Sequence, residues 1–250
     1  MGNLMKTELY KLRRDRSFWT VLIILFLAAI GWTLLEYLDH DPNLNSGFEV
    51  YLGAFAGNNY ITRIAPCILA GFFISSEYSM GTMKSITATG NSRMRIFWAK
   101  LLVFSFGSII ISLIFPIVAT GTGTLIYGFG ELPQGMGVGY FVQTIGLLIL
   151  YAAAFSSIMA LFAIMMTDSG KAIGFLIIFF LLFDTLFYFI AMKVSIVEPV
   201  FNHSVFKLFV EITQPNVGSN ELFKLIFVPI VTYIGIGILG SLVFRKKEIK

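Results

Sequence analysis

The chain has 250 residues, of which 57% are hydrophobic and 13% charged, with a mean hydropathy of +0.83. That is too apolar and too charge-poor for a water-soluble domain. The formal charge of +4, from 18 Lys and Arg against 14 Asp and Glu, excludes an acidic disordered tail and a nucleic-acid groove, and Cys67, His40 and His203 supply neither a disulfide nor a metal-ligand cluster.

Residues 1–16 place Met5, Leu9 and Leu12 at helical spacing among Lys6, Lys11, Arg13 and Arg14, a basic amphipathic helix suited to a headgroup layer. The same stretch also reads as a charged flank that merely anchors the first apolar run. A bilayer core of about 30 Å needs about 20 apolar residues as helix. Ser17 to Leu38 meets this, ending in the acidic turn Glu36, Asp39, His40, Asp41, Pro42. It is too long for a signal-peptide core and lacks a small-residue cleavage site, so it is expected to remain in the protein. Phe48, Tyr51, Leu52 and Phe55 then follow helical spacing and suggest an external interfacial or re-entrant helix, ahead of a short second span at 61–76.

Ser75 to Lys100 combines Glu77 at the membrane boundary, a glycine turn at Gly81, a short Thr/Met/Ile stretch, a second turn at Gly90-Asn91 and a basic re-entry at Arg93, Arg95 and Lys100. The pattern predicts a short helix held between two turns. A third span, 97–127, is long enough to tilt or to kink at Pro116. The glycine-rich GFGELPQGMGVG lacks the preceding strand that a nucleotide fingerprint requires, and Ser169-Gly170-Lys171 lacks the upstream glycine of a P-loop, so no nucleotide site is expected. Spans four to six are read at 139–166, 172–192 and 222–244, with a further amphipathic stretch at Phe201, Val205, Leu208, Phe209 and Ile212 between the last two. Asp184 is the one ionisable residue well inside a span, which by default marks a functional site, and Arg63 is its expected charge partner. Ala153, Ser156, Ser157 and Ala160 in the fourth span and Gly235, Gly237 and Gly240 in the sixth offer close-packing surfaces for a second copy.

Fourteen bases fall on one side of these spans and four, Arg63, Lys193, Lys207 and Lys224, on the other. The positive-inside rule therefore puts both termini in the cytoplasm. The fold class expected is an all-α membrane protein with six transmembrane helices.

Glu77, Gly81, Thr82, Lys84, Arg93 and Lys100 resemble the Glu-x-x-x-Gly-Thr-x-Lys pattern, with its later Arg and Lys, of permease subunits of type-2 ABC exporters. Met5-Lys6-Thr7-Glu8-Leu9-Tyr10-Lys11-Leu12 resembles that family's elbow helix, and Phe244 to Ile249 its usual terminus. The resemblance implies that 77–95 is a coupling segment for a separate P-loop ATPase subunit, which holds the ATP and Mg, with no cofactor, metal or catalytic residue in this chain. It also implies a homo- or heterodimer with the pathway at its interface. The absence of a large external domain resembles the small peptide-export and bacteriocin self-protection permeases of Gram-positive bacteria, with amphipathic peptides as the implied substrate and Asp184 and Arg63 beside the path. Sodium or drug efflux, or a secondary transporter using Asp184 as relay, are the alternatives; an intramembrane protease would need more than this single aspartate.

Overall fold

The computed structural model describes residues 2–39, 45–88, 90–132, 137–214 and 217–247, so His40, Asp41 and Pro42 of the acidic turn and Glu248 lie outside it. Among the described residues the chain is helical, with no strand. It comprises α1 (Gly2–Arg14), α2 (Arg16–Leu38), α3 (Gly47–Ala70), a π turn (Gly71–Ser75), α4 (Ser76–Ser79), α5 (Thr82–Ala88), α6 (Arg93–Tyr127), α7 (Val138–Met165), α8 (Ser169–Lys193), α9 (Glu198–Asn202), α10 (Val205–Phe209) and α11 (Ser219–Lys246). Five of these, α2, α6, α7, α8 and α11, are long and apolar enough to cross a membrane.

The long helices start where side chains satisfy the orphaned amides of a first turn. Asp15 accepts from the amides of Ser17 and Phe18, Ser46 from Glu49, Ser92 from Arg95 and Asp168 from Lys171. Pro116 does not break α6. One turn later, Thr120 Oγ1 donates to the Pro116 carbonyl at 2.6 Å.

The stretch around Phe48, Tyr51 and Phe55 is not a separate interfacial helix. It is the first part of α3, which continues through the π turn and α4 to Ser79, so the expected span at 61–76 is the later portion of one rod about 50 Å long. Two of the polar residues that interrupt the hydropathy of this rod, Asn58 and Arg63, find partners on other helices. Asn58 Nδ2 donates to the Ser112 carbonyl at 2.9 Å, and Arg63 is buried.

The rods run alternately. The Gly47 amide donates to the Gly128 carbonyl at 2.8 Å, placing the start of α3 at the end of α6. Ser75 Oγ donates to the Ala163 carbonyl at 2.8 Å, placing the far end of the same rod beside the end of α7. One end of the bundle thus collects α1, α4, α5 and the starts of α2, α6 and α8, and the other collects α9 and α10.

Ser156, Ser157 and Ala160 are buried inside this chain, Ser156 sharing a 2.7 Å hydrogen bond with Ser105 of α6. A Cβ on Gly237 would lie 2.5 Å from the Trp98 ring, and one on Gly240 2.5 Å from Phe97. These small residues therefore close α7 and α11 onto α6 instead of offering a surface to a second copy; Gly235 alone faces open space.

Gly71 has ordinary helical dihedrals but no room for a side chain. A Cβ there would clash with the Ile173 side chain and come within 2.9 Å of the Ser169 carbonyl. Gly71→Ala is expected to cost about 1–3 kcal/mol by overpacking, seen as a lower thermal midpoint in detergent. Gly235→Ala, with nothing within 4 Å of the added methyl, is the matched control and should leave the midpoint unchanged or slightly raised.

Candidate functional site

At the end that carries α1, four charged side chains from three elements close into a ring. Lys11 Nζ donates to Glu8 Oε1 at 2.7 Å and to Glu77 Oε1 at 2.9 Å. Lys100 Nζ donates to Glu8 Oε2 at 3.0 Å and lies 2.9 Å from Glu77 Oε2, the last a charge contact without hydrogen-bond alignment. Glu8, Glu77 and Lys100 are buried, while Lys11 is partly exposed. Lys100 Nζ also faces the Phe73 ring at 5.0 Å. Two acids and two bases alternate, so the quartet has no net charge.

Burial opposes the ionised form of Glu8, but Lys100 and Lys11 outweigh it and hold the carboxyl below its ordinary range. Burial likewise opposes the charge on Lys11, and Glu77 and Glu8 outweigh it, holding the ammonium above its ordinary range. The quartet joins α1, α4 and the start of α6 by ionic contacts that none of the four residues satisfies elsewhere. Leu12 continues the same junction, packing against Gly107 of α6.

From Glu77 the chain turns into α5. Gly81 has φ +69 and Gly90 φ +79, left-handed values that strain any side-chain-bearing residue, and the seven-residue helix sits between them. Its inner face is Met83, buried, and Ile86, half-buried. Thr82 Oγ1 donates to the Glu77 carbonyl at 3.2 Å. Lys84 is exposed. A cleft of about 600 Å³ runs between α1 and α5, bordered by Asn3, Thr7, Glu8, Lys11 and Ile86.

Arg93 turns away from α5. Its Nη1 donates to the carbonyls of Lys247 at 2.6 Å and Arg245 at 3.2 Å, capping the end of α11. Lys247 in turn donates to the Ile164 carbonyl and faces the Tyr78 ring at 3.8 Å. Burial holds the Lys247 ammonium below its ordinary range. Of the five residues expected to meet a partner, Glu77 and Arg93 are thus committed to contacts within this chain, Gly81 and Thr82 shape the turn, and Lys84 points outward.

Arg63 and Asp184 form a second site halfway along the rods. Arg63 Nη1 donates to Asp184 Oδ2 at 2.7 Å, and its Nε (2.9 Å) and Nη2 both donate to Asn59 Oδ1. The guanidinium does not snorkel to a surface. It lies 5.9 Å from the ring centres of both Phe155 and Phe209. Phe209 and Phe206 belong to α10, which folds back into the bundle; Phe206 meets Phe155, Phe180 and Phe183 at 5.0–6.0 Å between centroids.

Sequence reasoning places Glu77 and Lys100 in one motif and Glu8 and Lys11 in another without joining them. The available signal is Glu8 itself, the one acid of an otherwise basic helix, three residues before Lys11. Among the described residues no three His, Cys, Asp or Glu side chains come together as a metal site.

Lys100→Met removes the most enclosed cation and leaves Glu8 and Glu77 with one base between them. Its expected cost is about 3–5 kcal/mol, the penalty for an uncompensated buried charge. Glu8→Gln with Lys100→Met restores neutrality around the surviving Lys11–Glu77 pair and should recover a large part of that loss in the same melting assay. The pH dependence has a defined sign. Glu8 contributes fully above its ordinary 4.5 and loses its contribution as pH falls through its lowered folded value. Lys11 contributes fully below its ordinary 10.5 and loses its contribution as pH rises through its raised folded value. The gap in melting midpoint between wild type and Glu8→Gln should therefore be constant from neutral pH down to about 4.5 and narrow below it.

No curated protein matches the chain in sequence. A family model described as "ABC-2 family transporter protein" matches residues 4–184, a range that holds the quartet, α5 and the Arg63–Asp184 pair. By that match over most of its length, the chain belongs to the ABC-2 transporter family, as a multi-pass membrane permease of an ABC transporter.

Proposed function

We propose that the chain is the transmembrane subunit of an ATP-driven exporter, crossing the membrane six times through α2, the α3–α4 rod, α6, α7, α8 and α11, with both termini in the cytoplasm. The six-fold crossing is supported by the direction of the rods. α2 and α6 run the same way, since Leu12 just before α2 packs against Gly107 in the first half of α6 and Tyr37 at the end of α2 meets Tyr127 at the end of α6. The chain must return between them, and the α3–α4 rod is the segment that does so. The basic flanks at one end give the orientation.

The observation that carries the coupling role is α5, a short helix with exposed Lys84 that stands at the basic end and is tied through Glu77 to α1 and α6. A separate P-loop ATPase, holding ATP and Mg, seats on α5 and the cleft beside α1. Its closure moves the α4–α5 turn, and the quartet passes that movement to the elbow helix and the third rod together. A dimer of two permeases, identical or not, encloses the path, and amphipathic peptides leave through it past Asp184 and Arg63. The engagement of Asp184 by a guanidinium favours this over a secondary transporter, which needs a carboxylate free to exchange its ion.

Lys84→Glu tests the docking without disturbing the fold, because the Lys84 side chain is exposed. Co-purification of the partner ATPase and its stimulation by the permease should fall at least about tenfold, as for loss of a well-placed interfacial charge, while the melting midpoint stays that of wild type. Full ATPase binding and stimulation in Lys84→Glu would remove α5 as the docking element. Glu77→Ala is the less informative variant, since it also opens the quartet.

A further inference from the structure

Between α8 and the α9–α10 pair lies a cleft of about 390 Å³ that neither the coupling segment nor the family assignment explains. Its walls are aromatic, Tyr188, Phe189, Phe201 and Phe206, and they carry two charged side chains, Asp184 and Lys207. Each is engaged by a partner and still partly open. Asp184 takes Arg63 on Oδ2 and keeps 30% of its side chain exposed; Lys207 pairs with Glu211 at 3.0 Å and keeps 41% exposed. The four charges already sum to zero. A ligand with a net charge would bring an uncompensated ion into a largely apolar cleft, which opposes its binding. One that carries a cation and an anion together adds no net charge and finds a counter-ion for each.

We propose that this cleft binds the zwitterionic headgroup of a phospholipid, with the ammonium on Asp184 and the phosphate on Lys207. The aromatic walls suit the cation, which gains from ring faces as well as from the carboxylate. The surroundings suit the rest of the molecule: on the side of Asp184 away from Lys193, Leu182, Leu181 and Ile178 of α8 are exposed and apolar, as acyl chains require. α8 continues nine residues past Asp184, to Lys193. A headgroup on Asp184 is therefore held about 13 Å below the end of that helix, drawn in from the plane of its neighbours. The inference does not rest on the export reading, and its test needs no ATPase.

The full chain, purified and delipidated, is titrated with phosphatidylethanolamine or with phosphatidylglycerol of the same acyl chains and read by native mass spectrometry. One phosphatidylethanolamine per chain is expected to be retained in preference to phosphatidylglycerol. Lys207→Gln should lower that retention about three- to fivefold, the worth of a partly exposed ion pair, and Lys207→Arg should preserve it. Asp184→Asn should lower it too, but it bares Arg63, so Lys207→Gln with an unchanged melting midpoint carries the decision. Equal retention of the two lipids, or retention untouched by Lys207→Gln, overturns the proposal. So does a cleft that keeps a cationic amphipathic peptide while releasing both lipids, which makes it a peptide site.

Discussion

Four charges at one end of the bundle, three of them buried, set the terms for everything around them. Glu8, Lys11, Glu77 and Lys100 are each costly to desolvate alone, and together they form a neutral ring in which each acid touches both bases. Withdrawing α4 or α6 would leave two like charges sharing one counter-ion, and withdrawing α1 would leave Glu77 and Lys100 each with one partner in place of two. α1, α4 and the start of α6 therefore keep a fixed mutual arrangement, even though α1 is amphipathic and would otherwise float in the headgroup layer. An apolar junction of the same size would hold these elements with less directional demand, because hydrophobic contact tolerates sliding and ion pairs at 2.7–3.0 Å do not.

The same logic operates along the rods. Polar side chains inside an apolar medium are tolerated when each finds a partner across a helix pair. Asn58 reaches Ser112, Ser75 reaches Ala163, Ser105 reaches Ser156, and Arg63 binds both Asn59 and Asp184. The Ser105–Ser156 bond joins α6 to α7, and the others tie the α3–α4 rod to α6, α7 and α8 in turn. α8 itself buries few side chains, Ala172, Leu176, Phe180 and Ala191, so its ion pair with Arg63 and the close approach at Gly71 are prominent among the contacts that position it.

Much of this is legible in the sequence where the physical signal is local. The apolar runs of α2, α6, α7, α8 and α11 exceed any soluble helix, and the glycines at 81 and 90 mark turns because only glycine takes those dihedrals without strain. The full length of the α3 rod is hidden because Asn58, Asn59, Thr62 and Arg63 lower its hydropathy, and hydropathy cannot register that Asn58 reaches the Ser112 carbonyl of α6 or that Arg63 reaches Asp184 of α8. The small residues of α7 and α11 read as an outward surface for the same reason: their periodicity shows that a close approach exists and not which helix approaches. The quartet draws on residues separated by as many as 92 positions, Glu8 and Lys100, and no local pattern joins them. Asp184 is legible as exceptional because an isolated ionisable residue stands out in an apolar run, whereas the cleft beside it depends on how α9 and α10 fold back.

The neutrality of the quartet has a consequence for energetics across a polarised membrane. Moving one elementary charge through the full field requires about 2.3 kcal/mol per 100 mV. A ring of two acids and two bases that moves as a unit carries no gating charge, and the Arg63–Asp184 pair carries none either. Translations that keep both groupings intact therefore carry none of their charge through the field. A step that pulls one of these ions from its partner would feel the membrane potential.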